Sequence, residues 1–404
     1  MSAAPLPASS SEEPETYVHG AAPVSLWSRA FIDLLIAEAL FGFSYAQFVL
    51  LPKLLTVGYG ATAGQIGTVM GAFGVASLLT IPLMAPIVKR FNYRRAMIAG
   101  YVLLGASALA FLSISSAGAL AAVLRGAQGI AWSLTFAVGM ALVADVAPPA
   151  RLGHAIGLYG AAGLSMSALG PAIAEPIAAR YGARPVFLLS AVVALIGAWF
   201  CRRLSPTVSS APATAAKSLP GAARRRAAVI GVLAVGSMSA AVVSTFVAPF
   251  ALTYRIHVVR GFFIVYTLTA LVMRVAGTRV TDKLGQRRAA IAGAAGYGFV
   301  MIAMGGAGPS HLAVLGGLFG LFHGIVFPAL MALVLHQSAP DERPRLLAVT
   351  NGAINLGITG VGVIGAVAER VGYPAVFIVA GVVTTAAAAL LVPPRRSRAS
   401  ASST

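Results

Sequence analysis

Long apolar stretches, separated by short polar connections, run along almost the whole chain. Each of twelve such stretches comes close to the about 20 apolar residues that one α-helix needs to cross a bilayer. They cover approximately residues 29–52, 65–88, 96–115, 118–145, 153–178, 185–201, 227–252, 262–281, 289–307, 311–335, 346–367 and 373–393. The pattern predicts an all-α polytopic membrane protein with twelve transmembrane helices.

A break in this pattern divides the twelve predicted helices into two groups of six. Residues 202–226 are rich in Ser, Ala, Pro and Thr and end in three arginines, a composition typical of a flexible linker. We therefore expect one six-helix bundle over residues 29–201 and a second over residues 227–394. The flanking segments 1–28 and 395–404 are expected to be tails, and the first is predicted to be disordered.

The two groups of six resemble each other at equivalent loops. The segment RYGARPVF at 180–187 matches RVGYPAVF at 370–377, and KRFNYRR at 89–95 matches DKLGQRR at 282–288, with offsets of 190 and 193 residues. A parallel repeat of six plus six helices is typical of transporters whose halves rock about a site near the bilayer midplane. The sequence therefore predicts two pseudo-symmetric bundles.

Basic residues fall mainly on one side of the predicted helices. Of 29 Lys and Arg residues, 21 lie on the side that holds both termini and the linker, and 6 lie on the other side. Because cytoplasmic loops are enriched in Lys and Arg, both termini are expected in the cytoplasm, with the chain spanning the plasma or inner membrane. The same asymmetry accounts for the net charge of +18 without a nucleic-acid partner.

Composition excludes most other classes of protein. Hydrophobic residues make up 58% of the chain and charged residues 10%, which leaves too few polar side chains for a large soluble enzyme, a nucleic-acid-binding domain or a disordered protein. No H-E-x-x-H, G-x-S-x-G or P-loop motif is present, so we predict no enzymatic activity, no catalytic residues and no cofactor. A single cysteine, Cys201, allows no internal disulfide, and no metal site is expected.

Three motifs resemble those of the major facilitator superfamily. GTRVTDKLGQRR at 277–288 resembles the family's loop motif G-x-x-x-x-D-(R/K)-x-G-x-(R/K)-(R/K), LRGAQG at 124–129 its R-x-x-Q-G motif, and DVAPPARLGHAIG at 145–157 its connection between the fourth and fifth helices. The fixed positions of the loop motif are Gly277, Asp282, Lys283, Gly285, Arg287 and Arg288. The resemblance extends over about residues 29–394 and implies a secondary transporter with the family's twelve-helix fold.

The residue types of the 277–288 loop suggest how it works. Gly277 allows close helix approach, Gly285 allows a turn with positive φ, and the Asp282 carboxylate can bind the positive N-terminus of a neighbouring helix. The first-half loop has Lys89 and Asn92 where the family pattern has Asp and Gly. Asn tolerates positive φ, so we expect the turn to persist. Lys89 cannot serve as an acid, so we expect the first-half loop to bind the N-terminus of a neighbouring helix less well than the second-half loop.

In this family the first-half loop Asp engages the start of the eleventh helix. Pseudo-symmetry therefore implies that Asp282 lies at the start of the fifth helix, near Arg151 and Gly153, where it would close the cytoplasmic side.

The fifth predicted helix contains a sequence that resembles the signature of the family's antiporter branch. Gly170 and Pro171 fit the signature G-x-x-x-G-P-x-x-G, although Met166 and Ala174 replace two of its glycines. This resemblance favours the drug or metabolite:proton antiporter branch.

Acidic residues inside the predicted helices are functional candidates because a charge in the bilayer is costly. Glu38 lies about nine residues into the first helix, or ~13 Å deep at 1.5 Å per residue, and shares its face with Phe41 and Tyr45. We identify it as the proton carrier. Asp33, about one turn from the cytoplasmic end, either pairs with Arg29 or shares that role.

Other charges in the helices have less defined roles. Arg125 in the fourth helix is the nearest basic partner for Glu38 and a further proton-coupling candidate. Arg274 in the eighth helix either reaches the cytoplasmic surface or meets an anionic substrate. Glu175 lies near the outer end of the fifth helix, where we expect it to reach water.

Aromatic and amide side chains mark the expected substrate cavity. The candidates are Phe41, Tyr45, Gln128, Trp132, Phe246, Phe250, His323 and Asn355. Scarce polar groups and the absence of acids from the second-half helices favour proton-coupled efflux of a small amphipathic compound by alternating access. A proton-coupled importer of a polar metabolite, such as a sugar or organic acid, is the alternative. The expected partners are the substrate, the proton and the lipid bilayer, with the protein a monomer.

Overall fold

The structure of the protein, a computed structural model, describes residues 26–148, 151–204, 222–336 and 343–392. Within these ranges every regular element is a helix, which confirms the all-α prediction. The α-helices of these ranges are α1 (Arg29–Ala46), α2 (Leu51–Tyr59), α3 (Ala63–Thr80), α4 (Met84–Ala110), α5 (Ala119–Trp132), α6 (Val138–Val146), α7 (Leu152–Tyr181), α8 (Arg184–Phe200), α9 (Ala222–Thr253), α10 (Arg260–Leu284), α11 (Gln286–Ala307), α12 (Leu312–His336), α13 (Arg343–Thr359) and α14 (Val361–Ala388).

The described ranges contain nine helical stretches that are long and apolar enough to cross a membrane. Two of them, Ala63–Ser113 with 51 residues and Ala348–Leu391 with 44, would extend over about 77 and 66 Å as straight helices, at least twice the ~30 Å of a bilayer core. Each contains one residue with positive φ, Asn92 or Gly372, at which it turns back and so supplies two passes. With α10, which has 25 residues, we count twelve passes.

An even number of passes puts both ends of the described chain on one membrane face, called here the terminal face; the opposite one is the far face. Residues 26–204 are called the N-half and residues 222–392 the C-half. Most of the predicted tails and linker, at 1–25, 205–221 and 393–404, lies outside the described residues.

Four turns recur in pairs at the two offsets found in the sequence. Asn92 (φ 59°, ψ 165°) and Gly285 (φ 78°, ψ 143°) share a backbone conformation 193 residues apart. Gly182 (φ 79°, ψ −175°) and Gly372 (φ 82°, ψ 162°) do so 190 residues apart. Asn92 also accepts a hydrogen bond from the Arg95 N–H at 3.0 Å. Asn92 therefore keeps the turn in which the family pattern has glycine, because Asn is one of the few residues that tolerate positive φ.

The two halves are joined near the far face and packed separately near the terminal face. One apolar cluster contains far-end side chains of both halves, such as Phe48 and Leu51 from the N-half and Phe246 and Phe250 from the C-half. Nearer the terminal face the buried apolar side chains form two clusters, each within one half. The described part of the protein is therefore closed towards the far face.

Glycines let α3 and α14 touch across the two halves. A Cβ atom at Gly67 would lie 2.7 Å from the Cα atom of Gly365, and one at Gly71 would lie 3.1 Å from the Cα atom of Gly362. Backbones approach this closely in membrane proteins only where small residues face each other. These contacts between α3 and α14 join the N-half and the C-half on one side of the far face.

A buried charge cluster closes the other side of the far face. Glu175, near the far end of α7, is 3% exposed and forms an ion pair with Lys53 of α2 at 2.5 Å. Its oxygens also accept hydrogen bonds from the backbone N–H groups of Val259, at 2.9 and 3.2 Å, and Arg260, at 2.8 Å. The Lys53 ammonium donates to the carbonyl oxygen of His257. The expectation that Glu175 reaches water is therefore wrong, because its carboxylate joins the two halves.

The sequence at the start of each helix explains why this contact forms at α10. Helix α3 begins with a capping box in which the Thr62 and Gln65 side chains bind each other's backbone N–H groups. Helix α10 begins after Val259, which provides no side-chain cap, so its first N–H groups need an acceptor from elsewhere. Glu175 supplies that acceptor, and its carboxylate also suits the positive end of a helix. Glu369 of α14 lies at the equivalent start of α3, against Gly64, but is exposed.

We predict that the Glu175→Gln substitution weakens closure of the far face. Removing the charge from a buried, hydrogen-bonded carboxylate costs about 2 kcal/mol, which shifts the ratio of closed to open protein about 30-fold. The measurement is the distance distribution between spin labels at Val57 and Val371, which are exposed at the far ends of the two halves. The labels are placed on a Cys201→Ser background, and longer distances are expected in the variant.

The Glu369→Gln substitution is the matched control, because it removes a carboxylate from the same face at a site without a hydrogen bond to any described residue. It should leave the distances unchanged. Equal distance distributions in the parent protein and the Glu175→Gln variant would show that the cluster does not hold the far face closed.

Candidate functional site

A cavity of about 300 Å³ lies between the two halves, within the size range of small-molecule sites. Its wall consists of Tyr45, Val49, Met70, Phe73, Arg125 and Ser167 from the N-half, and Ser237, Ala240, Ala241, Val243, Ser244, Thr245, Phe262, Phe263, Tyr266, Phe319, His323, Phe327, Ile354, Ile358 and Val361 from the C-half. Both halves therefore contribute to one compartment, and most of its wall is apolar or aromatic.

Arg125 of α5 brings a positive charge to this wall. The side chain is 3% exposed, and its Nη1 and Nη2 atoms donate to Gln128 Oε1 at 2.6 Å and to the Tyr45 hydroxyl at 3.1 Å. The guanidinium carbon lies 5.0 and 4.9 Å from the ring centroids of Tyr45 and Phe73, a cation–π arrangement. Its Nε atom has no hydrogen-bond partner among the described residues. The guanidinium is held by neutral groups, and Glu38 is not among its partners.

Glu38 of α1 lies inside the N-half, two turns before Tyr45 and away from the cavity wall. The residue is 1% exposed, and neither carboxylate oxygen makes a hydrogen bond of normal length and angle with a described residue. The carboxylate packs against Gly163 of α7, where any side chain would collide with it, and beside the hydroxyl of Tyr159. Glu38 is thus a buried acid at the contact between α1 and α7.

His323 of α12 is the main polar group on the opposite wall. Its Nδ1 atom lies 3.4 Å from the Tyr266 hydroxyl and 3.2 Å from the Tyr297 hydroxyl, and its ring contacts Phe327. Arg274, one helix away on α10, extends its guanidinium to Gly160 of α7 in the other half. Its Nε atom also has no partner in the described part of the chain.

The structure brings only some of the predicted site residues together. Tyr45, Arg125 and His323 lie on the cavity wall, and Gln128 binds Arg125. Phe41 and Trp132 pack behind Tyr45, with Trp132 stacked on Phe136 at 4.8 Å.

The remaining aromatic, amide and acidic candidates lie outside the wall. Phe246 and Phe250 pack in the far-end cluster, and the Asn355 amide donates to the Asn351 carbonyl oxygen at 2.9 Å. Asp33 is half-buried near the terminal face and forms no ion pair with Arg29 in the described ranges.

The residues of the conformational motif lie at the end of α10 and in α7. Gly285 ends α10, and the exposed Arg287 donates from Nε to the Leu391 carbonyl oxygen. Gly277 is buried, whereas Lys283 and Arg288 are exposed; the side chain of Asp282 lies outside the described residues. Gly170 packs on the backbone of Ala46, and Pro171 follows it inside α7.

Sequence reasoning missed two groups of residues. Phe73 and Tyr266 of the wall carry no signal in the sequence that separates them from core aromatics. Lys53 and Glu175 had a usable signal, because a basic and an acidic residue at adjacent far-face helix ends can pair.

Comparison with known proteins agrees with this architecture. Proteins named "Multidrug resistance protein MdtG" from Citrobacter koseri and Yersinia enterocolitica are 25% and 26% identical over 260 and 262 residues, which cover 60% of this chain. The matches span 64% and 62% of those relatives, less than two thirds of their length.

Solved structures share the fold at low sequence identity. A mutant of the nucleoside transporter NupG matches with a TM-score of 0.73 and 12% identity over 90% of this chain and 98% of its own. The peptide transporter POT in complex with sulfate matches with a TM-score of 0.73 and 15% identity over 90% and 93%. The family model described as Major Facilitator Superfamily matches residues 34–265 and 257–404, nearly the whole chain. The protein belongs to the Major Facilitator Superfamily.

Proposed function

We propose that this transporter is a proton-coupled exporter that carries a small amphipathic compound by alternating access and acts as a monomer. The observation that carries the proposal is the cavity between the halves, which is closed towards the far face. A buried acid, Glu38, lies outside its wall but on the same helix as the wall residue Tyr45, two turns away. The printed names of the curated relatives, which refer to multidrug resistance, also support export. NupG and POT share only the fold, so their names do not favour the importer alternative.

The orientation of the protein follows from its charge asymmetry. We assign the terminal face to the cytoplasm because 21 of the 29 basic residues lie on that side. The cavity is then closed towards the outside, and the state described here is the one that faces the cytoplasm. A multi-pass protein with this orientation in the plasma or inner membrane would take up its substrate from the cytoplasm or the inner leaflet.

Glu38 is proposed as the site of the coupling proton. A carboxylate without hydrogen bonds is costly in a dry interior, whereas its protonated form is not charged. Glu38 contacts Tyr159 and Gly163 of α7, the helix that also carries Glu175. A proton on Glu38 therefore changes the contact between α1 and the helix that closes the far face. Asp33 and Arg125 remain the alternative coupling residues.

Asp282 is proposed as the latch of the opposite, outward-facing state. Helices α7 and α10 run antiparallel, with Glu175 opposite Val259 and Arg260, and Gly160 near Arg274. If this register continues for eight residues along each helix in the outward-facing state, Asp282 will lie opposite Leu152, the first residue of α7. A carboxylate there would meet the positive end of α7 and close the cytoplasmic side.

We predict that Glu38→Gln abolishes proton-driven transport and leaves exchange without a gradient. Glutamine keeps the shape of the protonated acid but cannot release a proton. Purified protein in liposomes is tested with an imposed pH gradient for the flux of small aromatic probes, and then for counterflow at equal pH. Driven flux should fall to the level without a gradient.

The Glu369→Gln variant, which loses an exposed carboxylate on the far face, is the control and should retain driven flux. If the Glu38→Gln variant still concentrates the probe, Glu38 does not carry the proton, and Asp33→Asn becomes the next variant to test.

A second prediction concerns the Asp282 latch. Asp282→Asn should favour the cytoplasm-facing state, because it weakens only the outward-facing one. Labelling of a cysteine at Ile354, on the cavity wall, from the cytoplasmic side should then increase. The control Arg202→Gln, at an exposed position near the terminal face and outside the loop motif, should not change it. Equal labelling of the parent and the Asp282→Asn variant would contradict the latch.

A further inference from the structure

The cavity wall carries one full charge among its described residues, and this charge is positive. Of the residues that form the wall, Arg125 alone carries a full charge, and the described wall contains no Asp or Glu. The other polar groups are hydroxyls, such as those of Tyr45 and Ser167, and the His323 imidazole. The cavity therefore has a positive potential and no group that would bind a cation through opposite charge.

Arg125 is buried without a counterion in the described part of the chain. Its two terminal nitrogens bind the neutral Gln128 and Tyr45 side chains, and its Nε atom has no partner. Cation–π contacts with Tyr45 and Phe73 offset part of the desolvation cost, but they do not neutralise the charge. An anion in the cavity would supply the missing counter-charge and charge-assisted hydrogen bonds.

The opposite wall also presents donors. The Tyr297 hydroxyl, at 3.2 Å, is the closer of two hydroxyls to Nδ1 of His323. In the tautomer in which Nδ1 accepts from it, the ring proton lies on Nε2, for which no described residue is an acceptor. Arg274 lies close enough to Tyr266 and His323 for its charge to act on both. Arg125 of the N-half therefore lies on the wall itself, whereas the half-buried Arg274 of the C-half lies outside the wall but near its residues Tyr266 and His323.

The rest of the wall suits a substrate whose uncharged part is apolar. Phe73 from the N-half and Phe262, Phe263, Phe319 and Phe327 from the C-half provide aromatic surfaces around the polar groups. A volume of about 300 Å³ fits one or two fused rings with a small charged group.

From these features we infer that the cavity selects amphipathic aromatic anions and that Arg125 binds their charged group. This inference rests on the proposed transport function, for which it specifies the substrate class. It contrasts with a cavity for lipophilic cations, which would need a carboxylate on its wall.

The test uses three probes of nearly equal shape that differ in charge. They are 2-naphthalenesulfonate, which is always anionic, 2-naphthalenesulfonamide, which is neutral, and N-methylquinolinium, which is always cationic. Binding to the purified full-length protein is measured by calorimetry, and transport is measured in liposomes. The sulfonate should bind about tenfold or more tightly than the sulfonamide, and the quinolinium should bind more weakly than both.

Variants of Arg125 assign the anion preference to its charge. Arg125→Gln should remove the preference for the sulfonate and leave sulfonamide affinity within about twofold, whereas Arg125→Lys should retain part of the preference. Sulfonamide binding by the same variant shows that it is folded. Arg180→Gln, the same change at an exposed arginine at the end of α7, should leave all affinities unchanged.

The outcomes separate this inference from the proposed function. Equal binding of sulfonate and sulfonamide by the parent, no binding of the sulfonate, or tighter binding of the quinolinium would overturn anion selection. A preference that persists in Arg125→Gln would overturn the role of Arg125. Transport of the quinolinium without the sulfonate would leave the exporter proposal standing and overturn only the inference about charge. Sulfonate that binds through Arg125 but is not transported supports the site and contradicts the transport proposal for this substrate class.

Discussion

A charge buried in a bilayer needs an opposite charge or hydrogen bonds, because no bulk water is available to solvate it. Three of the buried charged side chains in the described residues meet that requirement to very different degrees. Glu175 finds one lysine and two backbone N–H groups. Arg125 finds only neutral partners, and Glu38 makes no hydrogen bond of normal length and angle in the described ranges. The contacts of Glu175 hold the two halves together. Arg125 lacks a counter-charge, which an anion can supply, and Glu38 lacks a partner for its negative charge, which a proton can neutralise.

Helix α7 is where these separate features meet. Its far end carries Glu175, its middle carries the Gly163 surface against which the Glu38 carboxylate packs, and its Gly160 is approached by Arg274 from the C-half. A small displacement of this one helix would therefore alter the closure of the far face, the surroundings of the buried acid and the position of the Arg274 guanidinium. Such shared contacts allow a local change of charge to bias two packed arrangements of the halves.

Hydropathy, turn chemistry and internal repetition were sufficient to predict the fold. The lengths of the apolar stretches predict the membrane-crossing helices. Asn92 has the positive φ that its place in the repeat requires. The site was harder to predict, because helical spacing relates residues of one helix but does not show how neighbouring helices are rotated. Phe246 and Tyr266 are both aromatic residues of C-half helices, yet Tyr266 lines the cavity and Phe246 does not. The partners of Arg125 were equally hidden: Gln128 is close in sequence, whereas the Tyr45 hydroxyl comes from 80 residues away.

The acceptor role of Glu175 has a consequence for how the far face can vary in sequence. Its C-half partners are the N–H groups of Val259 and Arg260, which nearly every amino acid provides, rather than particular side chains. The loop before α10 is therefore free to diverge while the contact persists, with proline, which has no N–H, as the residue excluded at those two positions. We therefore expect substitutions to be better tolerated on the C-half side of the contact than at Glu175 and Lys53, the two side chains that the N-half supplies.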